Sequence, residues 1–143
     1  MDITQWHLIL SHFPVLGTFF GGVFLTSGIV LKNNAVQKIS LSIFIVTALI
    51  SAVVYATGIE ASQALGRLNL VSLTVINAHK QMASIASWFI GALGLISFIA
   101  FIPFKNQRTW YRFAVGIALF SILTLIATGM AVYTGYQINH AHF

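Results

Sequence analysis

The chain has 143 residues, of which 58% are hydrophobic and only 6% are charged. A soluble domain carries about 25% charged residues, so this composition predicts an integral membrane protein. Cysteine is absent, which excludes disulfides, thiolate metal sites and iron–sulfur clusters held by this chain. The net charge of +5 does not indicate nucleic-acid binding, because the basic residues lie at the ends of predicted helices and form no continuous patch.

The 7 basic and 2 acidic residues divide the chain into long uncharged runs. These runs are 3–31, 39–59, 81–104 and 113–143. Each exceeds the roughly 20 residues that a helix needs to cross a bilayer. The sequence therefore predicts a single all-α domain, an integral membrane four-helix bundle. Its helices are expected at about 3–31, 36–64, 76–104 and 109–138. The first run is too long, and lacks the basic n-region, for a cleavable signal peptide.

The first run carries local signals for how it begins and bends. Asp2, followed three residues later by Gln5, predicts an N-cap with a capping box. Pro14 predicts a kink or a break, because proline cannot donate to the carbonyl four residues earlier. Beyond it, Gly17 and Gly21 have the G-x-x-x-G spacing that is typical of close contact between membrane helices.

The basic residues predict an orientation. The first and third predicted loops hold five of them, and the middle loop holds two. The positive-inside rule then places the first and third loops in the cytoplasm and both termini on the outer side, the periplasmic side of a bacterial inner membrane. The five are Lys32, Lys38, Lys105, Arg108 and Arg112, and the two are Arg67 and Lys80.

All five histidines fall at this predicted outer side. His12 lies near the membrane boundary and His7 lies about one turn above it. His79 precedes the third run, and His140 and His142 follow the fourth. Since imidazole is costly near hydrocarbon unless it is bound, the clustering indicates a ligand site, although interfaces also tolerate histidine.

The third helix predicts which way its histidine faces. From His79 the same helical face continues through small residues that include Ala83, Ala86 and Gly94. Helix faces made of small residues point into the bundle in membranes, so we expect the His79 side chain to point inward, above a gap between the helices. A bound metal would satisfy one ring nitrogen, and a backbone carbonyl or a carboxylate such as Glu60 would orient the other.

A faint internal repeat predicts the partner of His79. His12 is followed by a membrane run, a basic loop, another run and "ATG" at 56–58, and His79 is followed by the same series and "ATG" at 127–129. Two similar hairpins would form a pseudo-twofold bundle about the membrane normal. In such a bundle His12 and His79 are counterparts that face each other.

Two histidines on facing membrane helices are a common way to hold a b-type haem. The sequence thus favours His12 and His79 as axial ligands, with His7 and His140 as alternates or as the ligands of a second haem. Haem propionates turn toward water, and Arg67 and Lys80 are the available cations. Ordinary snorkelling explains these two cations equally well.

Two other functions stay open. One is a non-haem copper or zinc site, because imidazole and carboxylate ligands suit these ions. The other is a cofactor-free accessory subunit of a membrane complex. No paired carboxylates and no nucleophile–base pair appear, so acid–base hydrolysis is not indicated. The candidate ligands of the copper or zinc site are His7, His12, His79, His140 and Glu60.

Several motifs resemble a widespread family of small, uncharacterised four-helix membrane proteins. "HLILSHFPVLG" is similar to the family's H-P-x-x-V-H-F-P opening, with Leu8 in place of the proline. "ATGIE" at 56–60 is similar to T-G-x-[DE] at the end of helix two, and His79 matches the histidine that opens helix three. "GYQINH" at 135–140 resembles the ending G-G-x-[IV]-x-H, with Tyr136 in place of the second glycine.

The resemblance implies respiratory redox work, since some relatives carry Rieske-type domains. It also raises His7 and His140 above His142 as candidate ligands. We therefore expect an electron-transfer or accessory subunit of a larger membrane complex rather than a stand-alone enzyme. Quinone is a candidate donor or acceptor.

Overall fold

A computed structural model describes residues 2–67, 71–102 and 106–140, except for the side chains of 139 and 140. Within these ranges the chain is helical, and four segments are long and apolar enough to cross a membrane. This confirms the all-α, four-span architecture. The helices are α1 (Ile3–Leu10), α2 (His12–Val30), α3 (Asn34–Arg67), α4 (Leu73–Ile99) and α5 (Gln107–His140).

The first membrane segment is broken into α1 and α2, as the proline predicts. Asp2 caps α1, and Gln5 completes the capping box by accepting from the Asp2 backbone N–H. The break falls at Ser11, whose backbone N–H donates to the carbonyl of His7 and whose hydroxyl donates to the carbonyl of Leu8. The hydroxyl therefore satisfies a carbonyl where the helix changes direction.

The four spans form a closed ring in which each helix packs against two neighbours. α2 packs on α3, α3 on α4, α4 on α5, and α5 returns to α2, while α1 lies against α3. Glycines permit the close approaches, because a Cβ on Gly17 would collide with Thr47 and one on Gly94 would collide with Ala48. Small residues at helix crossings are the usual means of association in a bilayer. The main apolar core consists of Leu25, Leu41, Phe44, Leu93, Ala100 and Ile117.

The bundle has two chemically different ends. The turn between α2 and α3 and the connection between α4 and α5 lie at one end, which we call the basic end. Both acidic residues, Asp2 and Glu60, belong to the opposite end, where His7 and His79 also lie. We call this the histidine end.

Burial repeats between the two halves of the molecule. Aligning His7 with His79 relates α1 and α2 to α4, and aligning Thr57 with Thr134 relates α3 to α5. Most residues that are buried on α2 and α3 align with buried residues on α4 and α5, so the two hairpins have similar inner faces. The buried pairs include Pro14 and Ala86, Thr18 and Ile90, Gly21 and Leu93, Thr47 and Thr124, and Ser51 and Thr128.

Candidate functional site: a pair of histidines

His7 and His79 face each other across the histidine end. Their ring centroids are 6.4 Å apart, and the ring planes are inclined at 75°. His7 comes from α1 and His79 from the first third of α4, so residues from the two halves of the chain converge. Both side chains are half-buried.

Each imidazole is fixed in the same way by the neighbouring helix. Nδ1 of His7 lies 3.1 Å from the carbonyl oxygen of Val54 and 3.2 Å from Oγ1 of Thr57. The Thr57 hydroxyl donates its own hydrogen to the Val54 carbonyl, at 2.9 Å. Since a carbonyl can only accept, Nδ1 of His7 must carry the proton and donate it.

The second imidazole has matching partners on α5. Nδ1 of His79 lies 3.1 Å from the carbonyl oxygen of Ala131 and 3.2 Å from Oγ1 of Thr134. Thr134 also donates to the Ala131 carbonyl, at 3.0 Å. Both rings are thus held as Nδ1–H tautomers, which leaves the lone pair of each Nε2 available. Metal-binding histidines are commonly oriented in this way, through the ring nitrogen that does not bind the metal.

Two glycines let the rings lie against the helices that orient them. A Cβ on Gly58 would be 2.7 Å from Cε1 of His7, and one on Gly135 would be 3.2 Å from Cε1 of His79. Each glycine directly follows the threonine that binds the same ring, so a Thr-Gly dipeptide serves each histidine. The first contact is too close for any real Cβ, and the second is tight.

His12 does not face His79, so the expected pairing is wrong in its geometry. The His12 side chain is exposed, and its Nδ1 lies 2.8 Å from the carbonyl oxygen of Leu8 in the preceding turn. The break at Ser11 lies between His7 on α1 and His12 on α2, so the two side chains are not related by one continuous helix. Pro14, rather than His12, takes the buried position at the start of α2.

The other predicted site residues are more scattered. Glu60 and Arg67 are exposed near the end of α3, and the oxygens that orient His79 come from α5 rather than from Glu60. Lys80 lines a cavity beside the two histidines. His140 lies in the last turn of α5, and its side chain is outside the described residues, as is the whole of His142.

Small cavities adjoin the histidine pair. One of about 60 Å³ opens toward α3 and α4, and one of about 80 Å³ lies deeper in the bundle. Typical small-molecule pockets measure about 300 Å³ or more. The deeper cavity is bordered mainly by short side chains. These include Ser51, Ala83, Ala86, Ser87 and Thr128.

The separation of the two rings is compatible with two imidazoles on opposite sides of one metal ion. An ion about 2 Å from each Nε2, in line between them, would place the two ring centroids about 6 Å apart, since each centroid lies about 1 Å behind its nitrogen. The observed 6.4 Å agrees with this separation. Among the described residues, no group of three or more histidine, cysteine, aspartate or glutamate side chains could hold a metal ion.

The Thr-Gly dipeptides at 57–58 and 134–135 were missed as site residues. Each lies toward the end of a long helix, and the spacing between the two dipeptides is close to the spacing between His7 and His79. The distances from histidine to the "ATG" glycine already favoured His7, since Gly58 lies 51 residues after His7 and Gly129 lies 50 residues after His79. Gly129, the last residue of the second "ATG", has open space where its Cβ would point.

The fold and this geometry define the class of the chain as a four-span helical bundle, of the kind that crosses membranes, with a histidine pair at one end. Comparison of the chain with models of protein families, with curated proteins and with solved structures finds no match in any of the three.

Proposed function

We propose that the protein is a b-type membrane cytochrome in which His7 and His79 are the two axial ligands of one haem. The observation that carries the proposal is the convergence of two imidazoles with centroids 6.4 Å apart, each with Nδ1 directed at a backbone carbonyl. When bound, haem iron supplies a one-electron redox centre. Haem needs only two protein ligands because the porphyrin supplies the other four.

The residues around the histidine pair have specific roles in the proposed haem site. Thr57 and Thr134 hold the rings in the tautomer that presents Nε2. Lys80, which borders the cavity, is the nearest candidate cation for a propionate, and Arg67 is a more distant one. The cavities are smaller than a porphyrin, so haem binding requires the helices at the histidine end to stand further apart than they do in this structure.

The proposal extends to where the protein works. By sequence position, five basic residues lie in or close to the two connections of the basic end, against two at the histidine end, and this favours the histidine end as the periplasmic side of a bacterial inner membrane. A redox centre near that surface can exchange electrons with another membrane subunit or with quinone. The proposed protein is therefore an electron-transfer subunit of a larger respiratory assembly.

An absorption spectrum tests the proposal. The full chain is expressed with haem supplied, purified in mild detergent and reduced with dithionite. A sharp α band is expected from the parent chain and should be lost in His7→Ala and in His79→Ala. His12→Ala is the matched control, since His12 is exposed and its Nδ1 lies beside the Leu8 carbonyl of the preceding turn rather than beside His79. Retention of the band in His7→Ala, or its loss in His12→Ala, would contradict the assignment.

The small cavities favour a second candidate, a copper or zinc ion held by His7 and His79. An ion needs no separation of the helices, and the alternative keeps the same two nitrogen ligands. Metal analysis of the purified protein distinguishes the two functions. Stoichiometric copper or zinc in a colourless preparation, lost in His79→Ala, would show that the pair binds a metal ion rather than haem. A colourless, metal-free preparation would contradict both and would favour the third candidate, a cofactor-free accessory subunit.

A further inference from the structure

The basic end contains a cavity that the histidine site does not explain. It has a volume of about 210 Å³ and lies where the start of α3, the start of α5 and the end of α4 meet. One side of it is polar and the other apolar. The residues that line it are Asn34, Gln37, Lys38, Leu41, Ala100, Phe101, Ile102, Gln107 and Trp110.

The floor of this cavity is a fixed polar layer. Gln37 is only 5% exposed, and its amide nitrogen donates to the carbonyl of Gly28, at 2.9 Å. The indole N–H of Trp110 donates to the amide oxygen of Gln37, at 2.7 Å. These bonds join α2, α3 and α5, so the floor keeps its shape while the outer part of the cavity remains open to a ligand.

The charge around the cavity is entirely positive. Lys38 lines it, and Lys32, Arg108 and Arg112 belong to the same end of the bundle. The chain has only two acidic residues, and both lie at the histidine end. A ligand in this cavity therefore meets an uncompensated positive potential, which favours an anion.

The apolar side of the cavity indicates an amphipathic ligand. Phe101 and Ile102, at the end of α4, are 44% and 63% exposed. They line the same cavity as Lys38 and directly follow a helix that is long and apolar enough to span a membrane. A free anion would gain nothing from these side chains, whereas a phospholipid places its phosphate beside its glycerol and acyl chains.

We propose that this cavity binds the phosphate-bearing headgroup of an anionic phospholipid. Lys38 neutralises the phosphate, Asn34 and Gln107 supply amide donors to its oxygens, and Phe101 and Ile102 contact the glycerol backbone and the first acyl carbons. Basic pockets between helices at the cytoplasmic surface are a known means of binding anionic headgroups. The site is separate from the histidine pair and does not depend on its function.

Native mass spectrometry of the full chain in neutral detergent tests this assignment. The protein is titrated with phosphatidylglycerol and, separately, with phosphatidylcholine of the same acyl chains. Phosphatidylglycerol should bind more tightly, and Lys38→Gln should weaken its binding about fivefold, the equivalent of one lysine at a membrane surface. Lys38→Arg should retain it, and circular dichroism checks that each variant is helical.

Lys32→Gln is the matched control, because it removes the same charge at the same end from a residue that does not line the cavity. An equal loss in Lys32→Gln would overturn the proposal in favour of diffuse charge attraction. Equal binding of the two lipids would also overturn it. Displacement of phosphatidylglycerol by an equal concentration of inorganic phosphate would assign the site to the free anion instead of the lipid.

Discussion

The two halves of the bundle are alike at the histidine end and different in the middle. At the histidine end, His7 with Val54 and Thr57 has the same contacts as His79 with Ala131 and Thr134. In the middle, the alignment of α3 with α5 places Ser121 of α5 where α3 has Phe44.

This difference in side-chain size changes the packing. Phe44 is 1% exposed, and its ring packs against Gly21 of α2. The interface between α2 and α5, in contrast, contains a groove of about 350 Å³, which Ser121 and the facing Gly22 border. The two halves therefore share the arrangement that would let their two imidazoles hold one ligand, whereas their cores are packed with side chains of different size. The shared geometry is where function is expected to constrain the sequence.

The largest expected effect comes from truncating the side chain that distinguishes the halves. Phe44→Ala should lower the free energy of unfolding by about 3 kcal/mol, at the low end for a buried phenylalanine, since a bilayer supplies little hydrophobic driving force. Phe98→Ala, at a side chain that is 65% exposed, is the matched control and should cost far less. Unfolding in mixed micelles measures both, and equal losses would show that the α2–α3 interface does not depend on Phe44.

The glycines beside the histidines should give a smaller, graded effect. Gly58→Ala should cost about 2 kcal/mol, since the new methyl group forces His7 to move from its carbonyl partner. Gly135→Ala should cost less, because the contact with His79 is 3.2 Å rather than 2.7 Å. Gly129→Ala, with open space at its Cβ, should be neutral or stabilising by up to about 1 kcal/mol. The same unfolding assay ranks the three, and a destabilised Gly129→Ala would contradict the alignment of the halves.

The threonines test whether the two halves contribute equally. Thr57→Val and Thr134→Val each remove one hydroxyl while keeping the shape, so each should cost about 1 kcal/mol of stability. In the haem-loaded protein each should also weaken cofactor affinity by about tenfold. Haem titration of both variants provides the comparison. A large effect in one variant and none in the other would show that the halves are equivalent in geometry only.

Filling the groove should give the smallest effect. Ser121→Phe gives α5 the side chain that α3 has at the related position, and cavity filling of this kind commonly adds about 0.5–2 kcal/mol. The gain should fall near the lower limit, because Oγ of Ser121 already lies 3.1 Å from where a Cβ of Gly22 would be. Thermal unfolding measures the change. A loss of stability would show that the groove is too tightly bounded for an aromatic ring.

Much of the fold follows from patterns that act locally. The uncharged runs are long enough to span a bilayer, Asp2 and Gln5 suffice to cap a helix, and Pro14 cannot continue an unbroken one. The inward facing of His79 also follows, because the small residues below it occur at helical spacing along a single uninterrupted helix. Of the two partners expected to orient that ring, a carbonyl or a carboxylate such as Glu60, the structure has the carbonyl of Ala131.

The partner of His79 could not be predicted in the same way. The break at Ser11 separates His7 from His12, so a straight helical wheel does not relate their directions. The repeated "ATG" did not settle the choice, since Gly58 and Gly129 share a triplet but only Gly58 has a histidine within 4 Å of its Cβ position. The choice depends on contacts between distant helices, which a single sequence does not specify.

The central claim is that His7 and His79 jointly bind one group. Electron paramagnetic resonance of the oxidised, haem-loaded protein tests it most directly, because the spin state reports the number of axial ligands. The account predicts a low-spin, bis-imidazole signal from the parent chain and a high-spin signal from His7→Ala. A high-spin signal from the parent chain, or an unchanged low-spin signal in His7→Ala, would contradict it.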